Sequence, residues 1–168
     1  MNFELRELRL SDAKSLAENA NNILIWNNLY DAFPHPYSEE DGKKFIKLRL
    51  DKPDTSAHLA IVVDDKVVGG MSVTPQENAN LRITAELGYF IGEKYWNKGI
   101  MTEAIKQMLA YAFGKFPHLR KIYATPFDFN IASHKVLQKA GFELEAILKQ
   151  AAIKNNKIID LHYYSLYK

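Results

Sequence analysis

Between Glu86 and Ala104 a strand pattern, a short polar loop and a helix pattern follow one another without a break. In Glu86-Leu87-Gly88-Tyr89-Phe90-Ile91-Gly92 aromatic and β-branched residues alternate with small ones until Gly92 stops the run. From Ile100 the apolar residues Ile100, Met101, Ala104, Ile105, Met108, Leu109 and Ala112 recur at helical spacing. A strand, a tight loop and a helix N-terminus make a site for an anion. The first backbone N–H groups of a helix have no internal partners, and the helix dipole places partial positive charge there. Gly99 lets the backbone come close to a ligand, and Lys98 adds charge. The three-glycine spacing of a dinucleotide fingerprint is absent, and no Gly-Lys-Ser/Thr closes the loop as a nucleotide-triphosphate site requires.

A second stretch, Asn130-Ile131-Ala132-Ser133-His134-Lys135-Val136-Leu137-Gln138-Lys139-Ala140-Gly141-Phe142, lies downstream. Paired with Trp96-Asn97-Lys98-Gly99-Ile100-Met101-Thr102-Glu103-Ala104, it resembles the GNAT family, the Gcn5-related N-acetyltransferases that use acetyl-CoA. Within that family the chain looks most like the RimJ/RimL branch, which acetylates protein N-termini. The resemblance runs from Phe3 to Tyr167 and is strongest between Glu86 and Phe142.

Bulk properties fit a soluble globular chain. Its 168 residues suit one domain, here the whole of 1–168. At 47% hydrophobic and 25% charged it can build a core without disulfides or metal. A formal net charge of +2 with scattered lysines does not point to nucleic acid. Cysteine is absent, which excludes disulfides, thiolate catalysis and cysteine metal sites. His35, His58, His118, His134 and His162 show no ligand pairing, so no metal is expected. No apolar run approaches the ~18 residues of a membrane span. The charged opening Met1-Asn2-Phe3-Glu4-Leu5-Arg6 does not suit a signal peptide, and a cytoplasmic location is expected.

Taken in order, the chain predicts a strand over Phe3 to Leu10 and a helix capped by Ser11 or Asp12 and running to Asn19. A short helical piece over Ile23 to Tyr30 and a proline-bounded loop over Asp31 to Tyr37 come next. A helix then spans Glu39 to Leu50 behind an N-cap at Ser38. Ala57 to Val63 and Lys66 to Val73 read as a hairpin turning at Asp64-Asp65, with Gly69-Gly70 marking a bulge or close packing. Strands over Arg82 to Ile91 and Lys121 to Thr125 bracket a helix over Ile100 to Lys115. A helix over Asn130 to Lys139 ends at Gly141. Phe142 to Ala152 and Lys157 to Tyr167 form the last hairpin around Asn155-Asn156. The class is α+β, with a central mixed but mostly antiparallel sheet flanked by helices. The resemblance implies more: in the GNAT fold the fourth and fifth strands splay apart and the pantetheine arm of the cosubstrate inserts between them.

The implied reaction is acetyl transfer from a thioester to an amine. The amine must be neutral to attack; at pH 7 an α-amine with pKa near 8 is about 10% neutral, and a lysine near 10.4 only about 0.04%. A base near the amine is therefore useful, as is a donor facing the thioester carbonyl. Glu86, where family members carry a catalytic glutamate, is the candidate base. The resemblance assigns the backbone of Tyr89, Phe90 and Ile91 to the pantetheine, and the backbone N–H groups of Trp96, Asn97, Lys98, Gly99, Ile100, Met101 and Thr102 to the pyrophosphate. Against the family pattern Gln/Arg-x-x-Gly-x-Gly/Ala, this chain has Trp96 and Met101 at the outer positions. Both are familiar in the RimJ/RimL-like branch; Met101 leaves room for phosphate only if it faces the core, and Trp96 reads as packing. Asn130 is assigned to the cofactor, with a helix cap as its other reading. Many GNAT enzymes carry a tyrosine four residues before the Gly-Phe pair as acid to the thiolate. Leu137 stands there, and Ser133 is the substitute.

The expected reaction is direct transfer in a ternary complex, with no covalent enzyme intermediate. The resemblance suggests a protein N-terminal α-amine as acceptor, of the ribosomal-protein type. A small amine (polyamine, aminoglycoside or amino acid) stays open, as does a CoA- or peptide-binding module without catalysis. Asp31 and Glu77 could attract a cationic amine. A homodimer is compatible with such a fold.

Overall fold

The computed structural model describes residues 2–168. Its sheet has seven strands in the order β1-β2-β3-β4-β5-β7-β6. They are β1 (Glu4–Arg6), β2 (Ala57–Val63), β3 (Lys66–Pro75), β4 (Thr84–Ile91), β5 (Lys121–Ala124), β6 (Glu143–Lys154) and β7 (Lys157–Tyr167). All neighbours pair antiparallel except β4 and β5, which run parallel. The helices are α1 (Ala13–Ala20), α2 (Ile23–Trp26), α3 (Glu39–Leu50), α4 (Ile100–Lys115) and α5 (Ile131–Lys139). This is the expected α+β architecture.

Local signals set most boundaries. Ser38 accepts from the Asp41 N–H, and the Asp41 carboxylate accepts from the Ser38 N–H, so α3 starts on a capping box. Asp64-Asp65 and Asn155-Asn156 have positive φ at both positions, the geometry of a two-residue hairpin turn. Tertiary contacts moved other boundaries. The opening strand stops at Arg6 because Asp12 takes both Arg6 nitrogens at 2.8 Å and the Arg9 N–H at 2.7 Å. That clamp bends the chain into a 3-10 turn over Leu10–Asp12. The second helical piece ends at Trp26 rather than Tyr30, and the Asn28 side-chain amide donates back to the Leu24 carbonyl.

The sheet separates two cores. On one face α4 brings Ala104, Ile105, Met108 and Ala112, all fully buried, against Val68, Leu87 and Ile122. On the other, α1 and α3 bring Leu16 and Ile46 against Ala60, Val62 and Val67. Strand alternation therefore sorts β4. Ala85, Leu87 and Ile91 join the α4 core, whereas Phe90 packs on Phe33 and beside Ala17 and Ala20 of α1. Gly69 is required where β3 meets β4, since a Cβ there would lie 2.4 Å from the Phe90 carbonyl oxygen.

The splay is present. β4 and β5 pair only through Thr84–Lys121, Ala85–Ile122 and Glu86–Tyr123. Beyond Glu86, β4 runs on to Ile91 along β3 alone. Glu86 is thus the last paired residue before the sheet opens.

Candidate active site

A cleft of about 710 Å³ fills the opening, and every residue assigned above to cofactor binding or catalysis lines it. At one end lies the loop into α4. Trp96 donates its indole N–H to the Ile91 carbonyl at 2.8 Å and packs against the α4 core, tying the loop to the end of β4. Asn97 and Gly99 adopt φ of 58° and 76°. A Cβ on Gly99 would meet nothing within 4 Å, so the space over the first turn of α4 is open. Ile100, Met101 and Thr102 begin that helix, where backbone N–H groups lack helical partners. The Met101 side chain is 8% exposed and lies in the α4 core, so it does not crowd the loop. These features fit a pyrophosphate.

The β4 wall is sorted by its ladder. The Gly92 N–H donates to the Val68 carbonyl at 2.7 Å. Alternation then turns the backbone of Phe90 and Gly88 toward β3 and leaves Leu87, Tyr89 and Ile91 facing the gap. The expected backbone contacts thereby narrow: the Phe90 backbone pairs with Gly70 of β3, and the Ile91 carbonyl is already taken by Trp96.

Asn130 caps α5, its side-chain oxygen accepting from the Ser133 N–H at 3.1 Å. Its amide NH2 is left as a donor to the cleft. Ser133 sits in the first turn of α5, where the dipole is positive. Its hydroxyl lies 2.5 Å from the Tyr89 phenol. Burial pushes the Tyr89 phenol well above the usual tyrosine range, and the Ser133 bond offsets this only in part. Leu137 is fully buried. His134, also buried, bonds the Phe127 and Asp128 carbonyls at 3.1 Å through Nε2 and so holds the turn that presents Asn130.

Glu86 is half-buried on the opposite face of β4 from Tyr89. It accepts from the Thr125 hydroxyl at 3.3 Å, which in turn lies 3.1 Å from the Tyr30 phenol. Tyr30 also packs edge-on against Phe127, bridging the mouth of the cleft. Tyr123, paired with Glu86 across β5, receives a bond from the Gln76 side-chain amide at 2.5 Å. Burial, helped by the Glu86 charge, pushes its phenol up to about 12. Tyr30, Thr125, Tyr123 and the Tyr89 side chain were not anticipated. For Tyr89 a signal existed, since strand parity puts it opposite Glu86, but nothing local says that α5 lies there.

Asp31 does not face the cleft as a free carboxylate. It pairs at 2.6 Å with Lys154, whose ammonium also sits 3.4 Å above the Trp26 ring. Glu77 does not line the cleft either. Among the described residues, Glu86 is the one acid lining it, and Lys98, Lys135 and Lys139 are its cations. No group of three His, Cys, Asp or Glu side chains among the described residues could hold a metal ion.

A parted parallel strand pair, an open helix N-terminus and a capped second helix define a class of cosubstrate-binding fold. Residues 2–143 match the family described as acetyltransferase (GNAT) domain, and the chain belongs to the GNAT family. GNAT domains use acetyl-CoA to acetylate amines. The chain is similar to the probable N-acetyltransferase YjcK of Bacillus subtilis (strain 168), 38% identical over 127 residues that cover 73% of this chain and 66% of that protein. It is also similar to the ribosomal-protein-serine acetyltransferase of Escherichia coli (strain K12), 30% identical over 130 residues, 76% of this chain and 71% of that one. The solved structure of the microcin C7 self-immunity acetyltransferase MccE, in complex with acetyl-CoA and AMP, superposes with a TM-score of 0.84. Identity there is 25%, with 99% of this chain and 92% of that one covered. The chain spans 57% of the length of an N-acetyltransferase of Bacillus licheniformis and 66% of YjcK.

Proposed function

We propose that this protein moves the acetyl group of acetyl-CoA directly to the α-amine of a polypeptide N-terminus within a ternary complex. When bound, acetyl-CoA supplies an acetyl group activated as a thioester. The loop from Trp96 to Thr102 holds its pyrophosphate through backbone N–H groups. The gap-facing backbone of Tyr89 and Ile91 holds the pantetheine, and the Asn130 amide donates to it. Glu86 takes the proton from the attacking amine, and Ser133 faces the departing sulfur. Glu86 and Ser133 stand on opposite sides of the gap, so the amine and the thiolate are served from different faces of the sheet.

The single observation that carries the acceptor class is the charge pattern of the cleft. Among the described residues one carboxylate, Glu86, lines it. Polyamines and aminoglycosides carry several ammonium groups and call for several carboxylates. A free amino acid calls for a cation beside the base, whereas Lys98, Lys135 and Lys139 lie on the α4 loop and α5. An α-amine already ~10% neutral at pH 7 needs only one modest base. The likeness to a ribosomal-protein-serine acetyltransferase supports the same reading.

The test is CoA release from acetyl-CoA over a panel of acceptors. Peptides with a free N-terminus should be acetylated, and the same peptides blocked at the N-terminus with an internal lysine should not. Turnover on spermidine or free amino acids at rates equal to the peptides would refute the acceptor assignment.

A further inference from the structure

This inference deepens the proposed function and rests on the sulfur-facing role given there to Ser133. Among the described residues the Ser133 hydroxyl has one side-chain partner, the Tyr89 phenol, at 2.5 Å. The Ser133 N–H is engaged by Asn130, which fixes the residue in the first turn of α5. Both side chains line the cleft beyond the point where β4 and β5 part. A phenol is a far stronger acid than a serine hydroxyl, so it is the better donor of the two. Burial keeps the phenol protonated at working pH. With its oxygen accepting from Tyr89, Ser133 has its own proton free to point into the cleft.

We propose that Tyr89 is a positioning residue for departure of the CoA sulfur: its phenol donates to Ser133 Oγ and turns the Ser133 proton toward the thiolate, so the two hydroxyls act as one unit. Spacing supports this. Three residues along a strand span ~10 Å, and odd spacing puts Glu86 and Tyr89 on opposite faces. Glu86 and the Tyr89–Ser133 pair therefore reach the acetyl group from different faces of β4. In the step, the amine nitrogen bonds the acetyl carbon, and the carbon–sulfur bond breaks with its electron pair on sulfur. The nitrogen's proton goes to Glu86. Ser133 keeps its proton and gives a hydrogen bond, and the thiolate is protonated by solvent on release.

The test needs no acceptor. CoA and desulfo-CoA are titrated calorimetrically into the wild-type protein, Tyr89→Phe, Ser133→Ala and the double variant at pH 7 and pH 9. If the site stabilises thiolate so that the bound thiol titrates near pH 7, well below a free alkanethiol, CoA tightens at least about tenfold relative to desulfo-CoA between the two pH values. Tyr89→Phe should cut this to about twofold with desulfo-CoA affinity unchanged, Ser133→Ala should do the same, and the double variant should lose no more than either. A Tyr89→Phe protein that keeps the full tightening, or additive losses in the double variant, would overturn the coupling. Wild-type CoA binding with no pH-dependent advantage over desulfo-CoA removes this inference and leaves the acetyltransferase reading standing. Failure of both ligands to bind removes both.

Discussion

Replacing Gly99 with alanine separates what the loop does for stability from what it does for binding. Gly99 has φ 76° and ψ −6°, where an L-residue costs about 1–2 kcal/mol. The added methyl meets nothing within 4 Å, so no steric cost joins the backbone strain. For a chain of this size each kcal/mol moves the melting temperature by roughly 2–4 °C, so the apo variant should melt roughly 2–8 °C lower. The methyl projects into the open cradle, and relief of strain would re-aim the first N–H groups of α4. Losing one charge-assisted bond at ~1.5–3 kcal/mol weakens acetyl-CoA by about 10- to 100-fold. At ~100 times the wild-type dissociation constant, acetyl-CoA adds about 2.7 kcal/mol to the wild type and well under half of that to a variant weakened 100-fold. Thermal melts with and without acetyl-CoA at that concentration read both terms. Equal protection of variant and wild type would refute the cradle, and an apo loss above ~10 °C would refute the strain argument.

Two glycines should respond in opposite directions. Gly69→Ala places a Cβ 2.4 Å from the Phe90 carbonyl oxygen and 2.9 Å from Ile91 Cα, both backbone, and should cost about 3 kcal/mol in urea unfolding. Gly114→Ala, exposed in α4 with nothing within 4 Å of the new methyl, should gain up to about 1 kcal/mol in the same assay. His58 should make stability pH-dependent, because burial, with Arg49 and Lys115, pulls its imidazole from 6.5 down to about 4. The unfolded chain then binds the proton first, so stability is full above pH ~6.5 and falls by about 3 kcal/mol as pH drops toward 4. His58→Phe should remove most of that slope between pH 7 and 4.5, leaving a smaller one from His162, whose imidazole burial also lowers, and an unchanged slope would assign it to other groups.

Elements set by their own residues were readable in advance. Ser38 and Asp41 start α3 through bonds three residues apart, and Asp64-Asp65 and Asn155-Asn156 turn their hairpins on local φ alone. The α4 pattern from Ile100 to Ala112 predicts a buried helix, and its start at Ile100 follows from Gly99. Parity also places Glu86 and Tyr89 on opposite faces without any knowledge of what covers them. Such signals act within one turn or one strand, where chain connectivity already holds the groups together.

What surrounds Glu86 is of another kind. Tyr30 meets Thr125 across 95 positions, Tyr89 meets Ser133 across 44, and Asp31 meets Lys154 across 123. Each pair exists because separate elements pack on chosen faces of one sheet in one register. The Asp31 expectation failed for that reason: an acidic loop residue carries no sign of the hairpin tip that neutralises it. Local propensity and periodicity, read along the chain, settle which segments are strands and helices and where an anion can rest. Which side chains then share the cleft is decided when long-range packing closes the sheet, because contact between distant residues depends on face and register rather than on any pattern near either one.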